Sequence, residues 1–255
     1  MAAPNLIRLV YRNIRVNTDP GSLIILLGMP AMYLVFFGFG FQSFVSGGHG
    51  GTSYLTFLAP GIMAFQAVMA GTLGGSMLWA DRRWGMLAQL LVGPFTRAEY
   101  LFGLMLTSLL WGLGGAALML AIAALLLGST VASLAGGLAI FGAIALGSIF
   151  FGSMMLLLAA YLKSNTAYNS VQILLIFMVN FASTVFYGYS SVLPLALRVL
   201  FVLNPLTYIA DTSRSGYNGT LGAHNGLEMI VLAAETVVFL LLAVRAYLRS
   251  DVSLE

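Results

Sequence analysis

Glu235 is the one carboxylate that this sequence sets well inside a long apolar run; Glu228 marks the edge of the same run seven residues earlier. Seven helical residues advance roughly 10 Å, so the two groups sit at different depths. A lone buried carboxylate can carry a proton or a cation, or it can stay protonated and bonded to a neighbouring helix; both readings stand. Gln66, Gln172 and Asn180 are the other notable polar residues inside apolar runs, where they either bond across helices or meet a substrate. Catalysis has little else to work with. The chain has no cysteine, which excludes disulfides, iron–sulfur clusters and thiol chemistry. Its two histidines, His49 and His224, fall in loops. Its one lysine, Lys163, precedes Ser164 but follows Ala160-Tyr161-Leu162, so no phosphate-binding P-loop is present. No His/Ser/Asp set and no metal-ligand spacing can be assembled. The sequence therefore predicts no catalytic centre, no metal and no cofactor held by this chain.

The elements that place these residues are set by lipid. Charged residues make up 7% of the chain, where a soluble protein carries about a quarter. Residues 22–79, 100–162 and 164–197 contain no Asp, Glu, Lys or Arg. A bilayer core needs about 20 apolar helical residues per crossing. Six stretches qualify: 22–45, 54–79, 100–127, 134–161, 168–187 and 227–248. They predict an all-α integral membrane protein of one transmembrane domain, 1–255, without a signal peptide. Six spans put both ends on one side, together with Arg8, Arg12, Arg15, Arg82, Arg83, Arg97, Lys163, Arg245 and Arg249; only Arg198 and Arg214 fall opposite. Basic residues accumulate on the cytoplasmic side, so both termini are expected there.

Three connecting regions carry pattern of their own. Within residues 1–20, positions 5–17 read as an amphipathic helix, with Arg8, Arg12 and Arg15 on one face toward headgroups and Leu6, Ile7, Val10 and Ile14 opposite. Asp19-Pro20-Gly21-Ser22 then turns the chain into the first span. The inner loop, 80–99, is basic at Arg82-Arg83, apolar from Met86 to Val92, and stopped by Gly93-Pro94. Its apolar middle must bury itself either in the membrane interface or in a groove of a partner protein. The outer region, 188–226, holds two short helices, one over 192–203 and one opening at Asn204-Pro205, an N-cap followed by proline at the first helical position. Neither is long enough to span, which predicts re-entrant segments between spans five and six. Small residues recur in the spans: Gly71 and Gly75 form a pair, whereas Gly137, Gly142, Gly147 and Gly152 wind around their helix and permit close packing on several sides.

Three motifs now carry a resemblance: Leu58-Ala59-Pro60-Gly61-Ile62 in the second span, Gly85 through Pro94 with Thr96-Arg97, and Asn204-Pro205-Leu206-Thr207-Tyr208 with Asp211 and Arg214. In this order and spacing the chain resembles the permease subunits of type-2 ATP-binding-cassette exporters, which include daunorubicin-resistance and nodulation-factor permeases. The resemblance covers nearly the whole chain. It implies a non-catalytic permease paired with a second permease, as homodimer or related heterodimer, and docked to two copies of a separate ATPase that holds ATP and Mg. It implies that Trp84, Gly85, Met86, Leu87, Leu90 and Leu91 form the joint to that ATPase, that the N-terminal helix is the family's interface helix, and that the outer helices are re-entrant. Many relatives carry a glutamate where Ala88 stands here.

The expected function is export of a hydrophobic or amphiphilic substrate, drug-like or lipid-like, across a bacterial or archaeal cell membrane. The alternatives are a lipid-linked polysaccharide exporter, an ion-coupled transporter using Glu235, and a membrane-embedded lipid enzyme. Gln172, Asn180 and Glu235 are the candidate pathway residues. No nucleic-acid partner is expected.

Overall fold

The computed structural model describes residues 2–41, 54–128 and 130–249. His49 and the first outer loop, 46–53, lie outside the described residues, as do the last residues of the first expected span. Among the described residues there are helices and no strand. In order these are α1 (Ala2–Val16), α2 (Pro20–Leu23) running through a π-helical stretch (Ile24–Gly28) into α3 (Met29–Gly40), α4 (Tyr54–Arg83), α5 (Met86–Val92), α6 (Arg97–Leu127), α7 (Leu134–Tyr161), α8 (Asn165–Phe181), α9 (Leu195–Leu203), α10 (Pro205–Asn218) and α11 (Ala223–Arg249).

Five units are long and apolar enough to cross a membrane: Pro20–Gly40, α4, α6, α7 and α11. The bent pair α9–α10, with 74° between its arms, makes a sixth when taken together. The chain is thus an all-α membrane protein. The expected fifth span is shorter than the sequence suggests, because helix α8 stops at Phe181 instead of reaching residue 187. Beyond it Ser183, Thr184 and Val185 are buried in bent, non-helical backbone. The Ser183 hydroxyl donates to the Asn180 carbonyl at 2.7 Å and accepts from the Val185 amide at 3.3 Å, replacing helical bonds with local ones.

Helix α4 is the central rod. Of its most apolar window 89% is buried, against 28% for α6 and 22% for α11. It packs chiefly on α7 and α6. Gly71 and Gly75 are what allow the α7 contact: a side chain at either would collide with Phe151, Gly152 or Met155. On α7 the glycines divide, as Gly147 and Gly152 meet neighbours while Gly137 and Gly142 face open space. Helices α10 and α11 complete this core against α7, and α8 touches it only lightly.

Local chemistry explains several boundaries. Asp19 caps α2 by accepting from the Ser22 amide at 3.0 Å and hydroxyl at 2.5 Å, bonds that hold its carboxyl below the ordinary range. Thr96 and Glu99 form a reciprocal capping box at the start of α6. Pro30 has no N–H to offer the Leu26 carbonyl; the Gln66 side chain from α4 supplies one instead at 2.9 Å. Gln66 therefore serves a structural bond between the first span and α4.

Candidate functional site

The α4–α5 turn depends on Gly85, whose φ of 68° is a left-handed conformation that favours glycine. It reverses the chain so that α5 lies across the end of the bundle. Leu87 is buried there, in a cluster with Trp79, Leu101 and Leu104. Leu90 and Leu91 are half-buried, whereas Trp84, Met86, Gln89 and Val92 are exposed. Among the six residues expected at a joint, Trp84 and Met86 thus face outward, Gly85 shapes the turn, and Leu87 anchors α5 to its own bundle. The anchored side is reinforced by charge. Asp81, itself buried, accepts both terminal nitrogens of Arg12, one at 2.8 Å, and the Tyr100 hydroxyl at 2.8 Å. Arg82 donates to the Ala159 carbonyl at 2.8 Å.

Helix α1 has three faces instead of two. Leu9, Val10 and Asn13 are buried on the side that packs on α6, with Asn13 donating to the Thr107 hydroxyl at 3.2 Å. Ile7 and Tyr11 are exposed apolar residues, and Arg8 and Arg15 are exposed cations. Arg12 departs from the expected headgroup-facing stripe, because Asp81 draws it inward; those hydrogen bonds raise its pKa further. Asn5 adds a bond to the Pro94 carbonyl at 3.0 Å. The helix therefore grips both ends of the α5 loop. Asp81 is the only acid between Asp19 and Glu99, and no local sequence pattern pairs it with Arg12.

At the far end, Asn204, Asp211 and Arg214 come together. The Asn204 oxygen caps α10 by accepting from the Leu206 amide at 3.0 Å. Its amide nitrogen donates to the Val179 and Ala182 carbonyls at 2.6 and 2.7 Å, satisfying the open end of α8. Pro205 follows at the first helical position. Arg214 donates to Asp211 at 2.8 Å, to the Thr184 carbonyl at 2.8 Å and to the Phe57 carbonyl at 3.3 Å, with its guanidinium 3.8 Å from the Phe57 ring centre. Thr184 in turn donates to Asp211 at 2.7 Å. One cluster thus ties α10 to the unwound end of α8 and to the start of α4. Gly61 admits this contact, since a Cβ there would lie 2.6 Å from the Val185 carbonyl.

Gln172 and Asn180 line one cavity of about 270 Å³ between the first span, α4 and α8, together with Tyr33, Phe65, Met69 and Ile176. Asn180 is buried, and its side-chain oxygen has no donor among the described residues. Glu235 does not line this cavity. It is half-buried on α11, and one carboxyl oxygen is buried without a partner among the described residues. The structure therefore brings Gln172 and Asn180 to one cavity and sets Glu235 apart from them. Glu228 takes hydrogen bonds from Asn225 at 3.1 Å and Thr212 at 3.5 Å, and His224 lies 3.3 Å away.

The architecture gives a membrane bundle with one helix displayed across one end and a clamp at the other. Among the described residues no group of three or more His, Cys, Asp or Glu could hold a metal ion. No curated protein matches the chain. The family model described as "ABC-2 type transporter" matches residues 5–217, the stretch that contains most of α1, the α5 loop and the Asn204–Arg214 cluster. On that match the chain belongs to the ABC-2 type transporter family and is a permease component of an ATP-binding-cassette transporter.

Proposed function

We propose that this permease exports a hydrophobic or amphiphilic substrate, powered by a separate ATPase that docks on α5. The observation that carries the reading is the α5 turn. An apolar, Trp-bearing face stands outside the bundle, while Leu87 and the Arg12–Asp81–Tyr100 cluster fix the opposite side to it. An ABC-2 membrane domain implies an ABC ATPase partner, and an exposed aromatic anchor with flanking apolar residues is what such a groove takes up.

The transmission path follows from α4. From Arg83 beside α5 to Phe57 at the clamp are 26 helical residues, roughly 40 Å of rod. A push on α5 shifts α4 as a unit and strains the bonds from Arg214 to Phe57 and Thr184. Release of that cluster frees α10 from the end of α8. In this reading two permeases and two ATPases form the working assembly, α5 and both termini face the cytoplasm of a bacterial or archaeal cell, and ATP and Mg are held by the ATPase. The basic residues grouped at the α5 end support that orientation. The partly unpaired Glu235 favours no ion pathway, because it stands apart from the Gln172–Asn180 cavity.

The test is co-purification with an ABC ATPase subunit from the same cell. The Trp84→Ser/Met86→Ser variant should lose the complex while Leu90→Ser weakens it less. Full retention by the double variant would overturn the docking assignment.

A further inference from the structure

A second, smaller cavity of about 120 Å³ opens beneath the first, lined by Ser76, Trp79, Arg83, Trp84, Tyr168 and Asn169 among others. It lies between the α5 end of α4 and the start of α8. Its lining is cationic, aromatic and polar. Arg83 is exposed, and its guanidinium lies 6.0 Å from the Trp79 ring centre and 5.5 Å from that of Trp84. Among the described residues no carboxylate forms a salt bridge with Arg83. The upper cavity is the complement: its walls are mostly aromatic and aliphatic, with the amides Gln172 and Asn180 among them.

The two cavities meet at a pair of side chains. Ser76 lines the lower one and Gln172 the upper, and they bond to each other at 3.3 and 3.5 Å. Both bonds are long, hence weak. From Asn169 to Asn180 the axis of α8 rises roughly 16 Å. We propose that this α4–α8 crevice binds one anionic amphiphile, its head at Arg83 and its tail in the chamber beside Asn180, with the Ser76–Gln172 pair as the latch it parts. The upper volume lies just under the roughly 300–1,000 Å³ typical of ligand pockets, which suits one chain and excludes bulky ring systems.

Occupancy of the site is independent of the export reading; its use in export rests on that reading. The binding test therefore omits ATPase and nucleotide. The permease is placed in phosphatidylcholine nanodiscs, and its tryptophan fluorescence is followed while dodecyl phosphate, 12-hydroxydodecyl phosphate, dodecyltrimethylammonium or inorganic phosphate is added. The two phosphate amphiphiles should each give a saturable change. The cation should bind at least tenfold more weakly, and inorganic phosphate should not register. Arg83→Gln, at an exposed position, should weaken dodecyl phosphate about tenfold; Ile173→Phe, an exposed lining residue, should also weaken it. Equal binding of anion and cation, or no change in Arg83→Gln, would overturn the proposal. Repeating the titration in phosphatidylglycerol nanodiscs identifies the occupant. Competition marks a resident membrane lipid and its absence a transported amphiphile, and either result upholds the site.

Discussion

Replacing Asp81 with asparagine should loosen α1 without unfolding the bundle. Asp81 takes three hydrogen bonds, two from Arg12 and one from Tyr100. Asparagine preserves the shape and can still accept from Tyr100, but it turns an amide toward the guanidinium. Hydrogen bonds to charged groups contribute about 1.5–3 kcal/mol each. Solvent screening reduces this, because the Arg12 side chain is 26% exposed. A net loss of about 2–3 kcal/mol in α1 docking is therefore expected. At about 1.4 kcal/mol per factor of ten, the undocked population should rise about 30–150-fold. Chymotrypsin reads this directly, since Tyr11 is exposed and Asp81→Asn leaves the Tyr11–Arg12 bond unaltered. When opening is fast, the cleavage rate follows the open population. Arg12→Gln should raise the rate similarly, and the double variant should be little worse than either single one. A rate for Asp81→Asn within threefold of the parent, or additive effects in the double variant, would refute the argument.

Other substitutions test separate parts. Asn204→Ala removes a helix cap and the donor for two carbonyls, so a loss of about 2–4 kcal/mol should appear as a lower melting temperature. Asn204→Asp keeps the cap but not the donor, and should recover only part of that loss. Gly85→Ala, at a φ of 68°, should cost about 1–2 kcal/mol and weaken ATPase binding in a pull-down more than it lowers the melting temperature. Gly61→Ala forces a Cβ against the Val185 carbonyl and should cost about 1–3 kcal/mol by overpacking, read by thermal unfolding.

The legible part of this chain was what lipid and local backbone chemistry dictate. Helix α7 runs over Leu134–Tyr161, as the apolar pattern implies, because Ser133 offers a cap and the run ends at polar residues. The stop at Gly93-Pro94 and the cap at Asn204-Pro205 were readable for the same reason. What the pattern hid were partnerships across distance. A helical wheel places Arg12 beside Arg8 and Arg15, yet cannot reveal an acid 69 positions away. Apolar composition continues to residue 187, but Asn204 and the Ser183 hydroxyl end α8 earlier. Gln66 looked like a pathway residue or a cross-helix bond; the missing N–H of Pro30 decides for the bond. Gln172 and Asn180 could be paired only once α8 had been set against α4.

The most direct test of ATPase docking is hydrogen exchange over residues 84–93, with and without the ATPase subunit. Docking on α5 predicts that amides of this stretch become protected on binding while those of the α9–α10 bend do not. Unchanged exchange over 84–93 in a complex shown to be intact would contradict the account.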